Sequence, residues 1–502
     1  MAEKSIDLFV IGGGINGAAV ARDAAGRGLS VMLAEKGDYA CATSSASSNL
    51  IHGGLRYLET YQFGLVRHSL KERKSLLHAA PYLVEPLQFL VPSRDDQKRP
   101  AWMVYAGLKL YDLLGGSRSL PASGTLTDAQ IDALPRLRRK NLKAVLHYHD
   151  CRTDDARLVL ALLLDAREHN ADISNYRAVT AIDAIEHGYR VAYRQDGVIH
   201  TAQARFVVNA AGPWANTVNG LCSAPPRQHS LRLVRGSHIV LPMPDPAQHT
   251  AFTLQNDDGR VVFTLPWLDE KFLVIGTTDQ PHDADAMEAR CTPHERDYLL
   301  RAYNRYFSHP GGRAAPEHVV SSWSGVRPLA DDGRGDLSKV TRSAVQTWRR
   351  QGNGGIITLY GGKLTTHRDL AETVLRRLSR MGAPVARSWT RNAILPGGHA
   401  ARDQLEKLAQ QGPDTIPPSI RLRWAHTYGD RIALLYDRIM KDQYLVREIA
   451  PGVPEAELHH AREDEDAVRA QDFLYRRTKL YMTLSLESQR VIARFFGDRH
   501  IS

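Results

Sequence analysis

The chain has 502 residues, 43% hydrophobic and 24% charged, the balance of an ordinary folded protein with room for two or three domains. Lysine and arginine (65) outnumber aspartate and glutamate (55), and the net charge of +10 favours an anionic small molecule, an anionic membrane surface or nucleic acid as partner. Four scattered cysteines without a C-x-x-C pair argue against a disulfide framework and a zinc or iron–sulfur site, so no metal is expected; no run approaches the ~18 apolar residues of a spanning helix, and a start without an apolar signal core leads to the expectation of a reducing cytoplasm.

The first 35 residues read strand, glycine turn, helix, strand, acid. Residues 6–11 are an apolar run broken only by Asp7, Gly12-Gly13-Gly14-Ile15-Asn16-Gly17 follows, then a helix of small residues, then LSVMLAE ending at Glu35. This is G-x-G-x-x-G in its full setting, far more specific than six residues alone. Gly12 allows the tight turn, Gly14 the approach of a pyrophosphate, and Gly17 close packing of helix on strand. The helix N-terminus offers N–H groups to phosphate, and Glu35 offers a carboxylate to a ribose. An ADP-containing dinucleotide is the conclusion.

A loop rich in small polar residues comes next: every position from 43 to 48 except Ala46 is serine or threonine, and the loop runs into His52-Gly53-Gly54-Leu55-Arg56-Tyr57. Two adjacent glycines permit close contact with a planar ligand, and Arg56 and Tyr57 offer a charge and a hydroxyl to an anion. A plain serine loop with a glycine turn is the competing reading. Residues 64–90 read as helical with a break at Pro81. Residues 102–114 form an apolar helix interrupted by Lys109 and Asp112, buried or interfacial. Residues 120–140 read as loop and short helix; their RLRRK at 136–140 is too short, and too poor in aromatic neighbours, to mark a nucleic-acid interface. Residues 154–170 are a helix with acids at its start and Arg-Glu-His near its end, matching the helix dipole.

Residues 178–208 alternate as short strands and end in VVNAAGPWA (207–215), whose Gly212 either lies beside the dinucleotide or simply makes a Gly-Pro turn. The β-like runs up to residue 279 predict a second, largely antiparallel sheet, with His238 on one of its strands. A lone histidine on a strand is more often structural than catalytic. Residues 293–309 read as helix, and in SWSGVRPLADD (322–332) Pro328 stiffens a loop that presents Arg327. Residues 352–382 repeat strand, glycine turn and helix, with Lys363, Thr365 and Thr366 in the helix's first turn; an ordinary capped helix is the alternative. A domain boundary is placed near 390, and residues 399–502 are charged and largely helical in pattern. The serine loop and the Gly-Gly-Lys turn give extra points of close approach for a large, permanently bound ring system, which favours FAD over NAD.

Together IGGGINGA (11–18), CATSSASSNLIHGGLRYLE (41–59), DCRTDDARL (150–158), NAAGPW (209–214), GSHIV (236–240), LPWLDE (265–270), IGTTD (275–279), SGVRPL (324–329), GGKLTT (361–366) and RRTKL (476–480) make the chain resemble the FAD-dependent, membrane-associated glycerol-3-phosphate dehydrogenases of aerobic bacteria. The resemblance implies an α/β, D-amino-acid-oxidase-like fold. Its Rossmann-like FAD domain comes from segments of about 1–60, 150–220 and 325–390. A substrate region of about 60–150 and 220–325, with its largely antiparallel sheet, is inserted between them, and a helical cap spans 391–502. It implies non-covalent FAD, oxidation of sn-glycerol 3-phosphate to dihydroxyacetone phosphate by hydride transfer to FAD, and electrons passed to membrane quinone. It implies a peripheral position on the cytoplasmic face of the inner membrane, and a homodimer is compatible with it.

Carried over by motif, the FAD residues are Ile11, Gly12, Gly13, Gly14, Ile15, Asn16, Gly17, Glu35 and Lys36, then Thr43, Ser44, Ser45, Ser47, Ser48, Leu50, His52, Gly53 and Gly54, then Val179, Gly212 and Trp214, and finally Gly362, Lys363, Leu364 and Thr365. The substrate residues are Arg56, Tyr57, His238, Arg327, Arg342, Lys363 and Thr366, with Arg327 and His238 as the catalytic pair. Arg56, Arg342 and Lys363 suit the phosphate, Arg327 the C2 oxygen, and His238, at an ordinary pKa of ~6.5, the hydroxyl proton. Trp323 stands where the family pattern leads us to expect tyrosine. A bilayer contact is expected from the basic amphipathic helix after Lys363 (Arg368, Arg376, Arg377 and Arg380 against Leu370, Val374 and Leu378) or from residues 102–114; an ordinary surface helix is the alternative for the first. Two other functions stay open: a soluble oxidase acting on glycerol 3-phosphate or an amino acid, and a non-catalytic flavin-binding partner.

Overall fold

Parallel strands buried on both faces are near-continuous apolar runs, and the run before the glycine turn becomes the strand Lys4–Ile11 at the centre of such a sheet. The computed structural model describes residues 4–116, 120–134, 136–245, 249–331 and 344–498. In it, Lys4–Ile11 pairs in parallel with Val31–Ala34 on one side and Val198–Asn209 on the other. Asp172–Ser174 extends one edge, and Gly354–Tyr360 and Val345–Gln351 extend the other. The helices Ile15–Gly26, Asp155–Glu168 and His367–Arg380 bury their apolar residues with this sheet in one core. Asp154 starts the second of them, its carboxylate accepting the Arg157 amide at 3.0 Å.

The second sheet has ten strands, antiparallel except where Ala251–Gln255 lies parallel to Glu85–Arg94. Its long strand Leu231–Pro242 runs between Phe272–Gly276 and Ser321–Ala330, which sets His238 opposite both Gly276 and Trp323, and Val234 opposite Arg327. Two expectations change here. The helix expected over 64–90 is Phe63–Ala79, and Glu85–Arg94 is a strand: Pro81 and Pro86 remove helix donors, while Phe89, Leu90 and Val91 are buried in the sheet. Ser321–Ala330 crosses the boundary expected at 325 and belongs to the second sheet.

The C-terminal region is helical, and it is not a detached cap. Leu395, Trp424, Tyr428 and Leu435 join the core of the dinucleotide helix, whereas Val453, Leu458, Phe473 and Ile492 form a core of their own. The apolar stripe of His367–Arg380 is likewise spent inside the protein: Leu370, Val374 and Leu378 are buried, and Arg368 is locked between Glu72 and Glu372. A bilayer-facing role for that stripe is therefore ruled out by packing. The helix Ala101–Gly115 is different, with Trp102, Met103, Tyr105 and Leu113 exposed. Among the described residues, no helix is long and apolar enough to cross a membrane.

Candidate cofactor and substrate site

A cavity of about 440 Å³ runs between the two sheets. Its first wall is the glycine turn. Gly12 has φ +109°, and a side chain there would bring Cβ to 2.7 Å from the Ala210 carbonyl oxygen, so no other residue fits. The Ile15 amide, at the start of the helix, donates to Ser44 Oγ at 3.0 Å. Glu35 accepts the Gly13 amide at 2.7 Å and the Gly37 amide at 2.9 Å. Burial raises its pKa, and these two amides work against the rise. A carboxylate has about four acceptor positions, so Glu35 keeps capacity for a ribose.

The opposite wall is the Gly-Gly-Lys turn. Asn16 Nδ2 donates to the Gly361 carbonyl at 2.9 Å, and a Cβ on Gly362 (φ +101°) would stand 2.8 Å from that nitrogen. Asn16 Oδ1 is buried without a hydrogen-bond partner. Gly212 (φ +55°) faces open space, and Lys36 Nζ lies 3.8 Å from the centre of the Trp214 ring. The glycine cradle, the helix N-terminus and the orphaned Asn16 oxygen fit a dinucleotide that ends in a planar ring system.

Of the fingerprint positions, Ile11, Gly12, Gly14, Ile15, Asn16, Glu35 and Lys36 line the cavity, while Gly13 and Gly17 lie behind its surface. From the serine loop Thr43, Ser44, Ser47, Ser48, Leu50 and His52 line it, and Ser45, Gly53 and Gly54 do not. Val179, Gly212 and Trp214 line it, as do Gly362, Lys363, Leu364 and Thr365. Among the expected substrate residues the cavity brings together Tyr57, Arg327 and Lys363, with Lys363 Nζ 4.0 Å from the Tyr57 ring centre. Arg56 and Thr366 are half-buried outside its lining. Arg342 lies outside the described residues.

Arg327 is held from behind. It pairs with Asp279, donates to Thr277 Oγ1 at 3.1 Å, and lies over Gly236. Fixed this way, its guanidinium is oriented before any ligand arrives. His238 is fully buried behind Ser48, with Nε2 and Ser48 Oγ 2.8 Å apart and its ring stacked on Trp323 at 5.1 Å. Its Nδ1 is buried without a hydrogen bond. Burial, and then the charge of Arg327, push its pKa down to about 3. The expectation of an imidazole with an ordinary pKa is thus corrected: His238 is neutral at pH 7, because a buried cation beside an arginine is costly.

Several wall residues carried no signal in the sequence. Arg177 lines the cavity and is held by Asp172 at 3.0 Å and Gln195 at 3.0 Å. Cys41 also lines it, but burial and then Glu35 raise its thiol to about 12, so it is not a nucleophile. Asp279 could have been found, since it closes the IGTTD motif, but nothing in the sequence paired it with Arg327.

A family model described as FAD-dependent oxidoreductase matches residues 7–368, and one described as the C-terminal domain of alpha-glycerophosphate oxidase matches residues 388–499. The chain is 40% identical to the aerobic glycerol-3-phosphate dehydrogenase of Escherichia coli, covering 98% of this chain and 97% of that one. It is 41% identical to the D-erythritol 1-phosphate dehydrogenase of Brucella abortus, covering 100% of both. The X-ray structure of the Bacillus halodurans glycerol-3-phosphate dehydrogenase complexed with FAD is similar over 99% of this chain and 91% of that one, with a TM-score of 0.78 and 28% identity.

Proposed function

The chain belongs to the family of FAD-dependent oxidoreductases that includes the glycerol-3-phosphate dehydrogenases, FAD is its cofactor, and on that premise we propose that it oxidises sn-glycerol 3-phosphate to dihydroxyacetone phosphate and delivers the electrons to membrane quinone. The observation that supports this reading is the presence of the two cations Arg327 and Lys363 in the wall of the cavity that the glycine turn also lines. A phosphate dianion calls for several cationic donors, whereas an amino-acid carboxylate needs one bidentate arginine.

In this reading Lys363, with its Nζ over the Tyr57 ring, holds the phosphate, and Arg56 and Thr366, half-buried just outside the cavity lining, are the further donors we assign to it on the resemblance alone. Arg327, oriented by Asp279 and Thr277, donates to the C2 oxygen and fixes the C2 centre for hydride loss. FAD supplies the two-electron acceptor for the C2 hydride. The hydroxyl proton passes to Ser48 Oγ and on to His238 Nε2. A base with a low pKa suffices there, because an alcohol losing its C2 hydride becomes a protonated ketone, a strong acid.

The exposed side chains Tyr61, Trp102, Met103, Tyr105 and Leu113 are the surface we assign to the bilayer, on its cytoplasmic face. The competing substrate is set by the Brucella relative, and a longer polyol phosphate needs only extra room beyond C1, the end remote from the phosphate. Steady-state rates with a short-chain quinone, comparing sn-glycerol 3-phosphate with D-erythritol 1-phosphate, test the proposal. Preference for glycerol 3-phosphate by about tenfold or more in kcat/KM, equivalent to ~1.4 kcal/mol, is expected. Preference for erythritol phosphate would reassign the substrate and leave the flavin chemistry in place.

A further inference from the structure

One short turn of the C-terminal region reaches both walls of the cofactor cavity. Its first arm is Arg476 and Arg477. Asp38 accepts from Arg477 at 2.5 and 2.8 Å and from Arg476 at 2.5 Å, and its side chain is 1% exposed. Asp38 belongs to the loop whose Glu35, Lys36, Ala40 and Cys41 line the cavity. The second arm is Lys479. Its Nζ is 2.5 Å from Asp154 Oδ1 and 3.5 Å from Asp155 Oδ1. Asp155 Oδ2 in turn accepts the Ser47 amide at 3.1 Å and Ser47 Oγ at 2.6 Å. Ser47 and Ser48 line the cavity, and Ser48 touches His238.

This geometry is built rather than incidental. Residues Phe473–Arg477 form a π-turn, and Lys479 adopts φ +56°, a region that non-glycine residues seldom occupy. Together they carry both arms from one turn into the FAD domain. Lys479 is 6% exposed at its side chain and Asp155 is 0%. The groups facing Asp155 are Lys479, Asp154, Tyr481, the Ser47 hydroxyl and amide, and the Ala156 amide, which donates to Oδ1 at 2.8 Å. Burial raises the Asp155 carboxyl above its ordinary value, and Lys479 is the main charge opposing that rise.

We propose that Lys479 is a positioning residue for the cofactor: through Asp155 it fixes Ser47 and the serine loop in the FAD-binding arrangement, so that the C-terminal region is a working part of the FAD site. Without the lysine, Asp155 would be a buried carboxylate held by hydrogen bonds with no cation, which shifts it further toward the protonated form. The inference rests on the cavity being the FAD site.

The test is FAD titration of the apoprotein, followed by quenching of flavin fluorescence from pH 6 to 8.5. Lys479→Met should weaken FAD binding about tenfold or more, and increasingly as pH rises, because deprotonation then leaves the charge unpaired. Lys479→Arg should restore most of the affinity. The double variant Lys479→Met/Asp155→Asn should bind FAD more tightly than Lys479→Met and lose the pH dependence, since a neutral pair needs no cation, although its single carbonyl leaves one of the donors on Asp155 unpaired. Affinity unchanged in Lys479→Met, a loss independent of pH, or failure of the double variant to recover would each overturn the proposal. Should Lys479→Met not fold, Lys479→Gln is titrated instead: FAD binding that weakens increasingly as pH rises supports the proposal, and affinity within threefold of wild type overturns it. A wild-type protein that binds no FAD would instead remove the premise.

Discussion

Replacing Gly236 with alanine tests the placement of Arg327 without touching the arginine itself. The added Cβ would fall 2.6 Å from Thr277 Oγ1 and 2.9 Å from Arg327 Cζ, with the guanidinium Nη2 closer still. Ordinary carbon contacts begin at ~3.5 Å, so the guanidinium must retreat by roughly 1 Å. The group displaced is the far end of a flexible side chain, which keeps the folding penalty near the low end of overpacking, about 1 kcal/mol. Catalysis is far less forgiving, since a misplacement of ~1 Å costs about 10²-fold, or ~2.7 kcal/mol. Gly236→Ala should therefore keep its FAD, read from the visible spectrum, and lose about 10²-fold in the rate of anaerobic flavin reduction by glycerol 3-phosphate. Reduction within threefold of wild type would refute the idea that a fixed Arg327 serves the reacting carbon. Loss of FAD would show that the glycine serves the cofactor instead.

With its pKa near 3, His238 should leave no inflection in the flavin-reduction rate between pH 5 and 8; an ionisation near 6.5 that vanishes in His238→Asn would contradict its burial. The same depression has a stability consequence: as pH falls below ~6.5 the unfolded imidazole takes up a proton that the folded one refuses, so stability drops. Asp38 and Glu465 are held below the ordinary carboxylate range by Arg477 and Arg157 against the opposing effect of burial. Their contribution is full above pH ~4.3 and lost on further acidification, so flavin release and proteolytic nicking of the C-terminal region should rise together below that pH. Glu35→Gln leaves one of the Gly13 and Gly37 amides without its acceptor, costing ~1–2 kcal/mol, and should weaken FAD binding about tenfold in a fluorescence titration. Trp102→Glu with Leu113→Glu should abolish sedimentation with anionic vesicles at low salt while leaving flavin reduction by glycerol 3-phosphate intact; unchanged sedimentation would move the membrane surface elsewhere.

Features encoded by backbone demands could be read in the sequence. Gly12 and Gly17 admit few residues other than glycine, and the serine loop and the Gly-Gly-Lys turn announce themselves by composition. Features that depend on distant partners could not. His238 is set by Ser48, Trp323 and Arg327, none of them near it in sequence, so an ordinary pKa was the natural expectation and burial overturned it. The helix His367–Arg380 shows why amphipathicity is ambiguous: the stripe of Leu370, Val374 and Leu378 is the same whether it meets lipid or the FAD sheet, and only the fold decides. The strand Glu85–Arg94 was hidden because its apolar run of buried residues carries no helical or strand period of its own. The interlock of Arg476, Arg477 and Lys479 with Asp38 and Asp155 joins segments more than 300 residues apart, a distance that charge patterning in one sequence does not span.

The central claim is that this cavity oxidises glycerol 3-phosphate on FAD. Anaerobic titration of the purified holoenzyme with sn-glycerol 3-phosphate, following the oxidised-flavin band, tests it most directly. The account predicts bleaching that nears completion as substrate exceeds flavin, with dihydroxyacetone phosphate formed in step. A flavin that dithionite reduces but glycerol 3-phosphate leaves oxidised would contradict it.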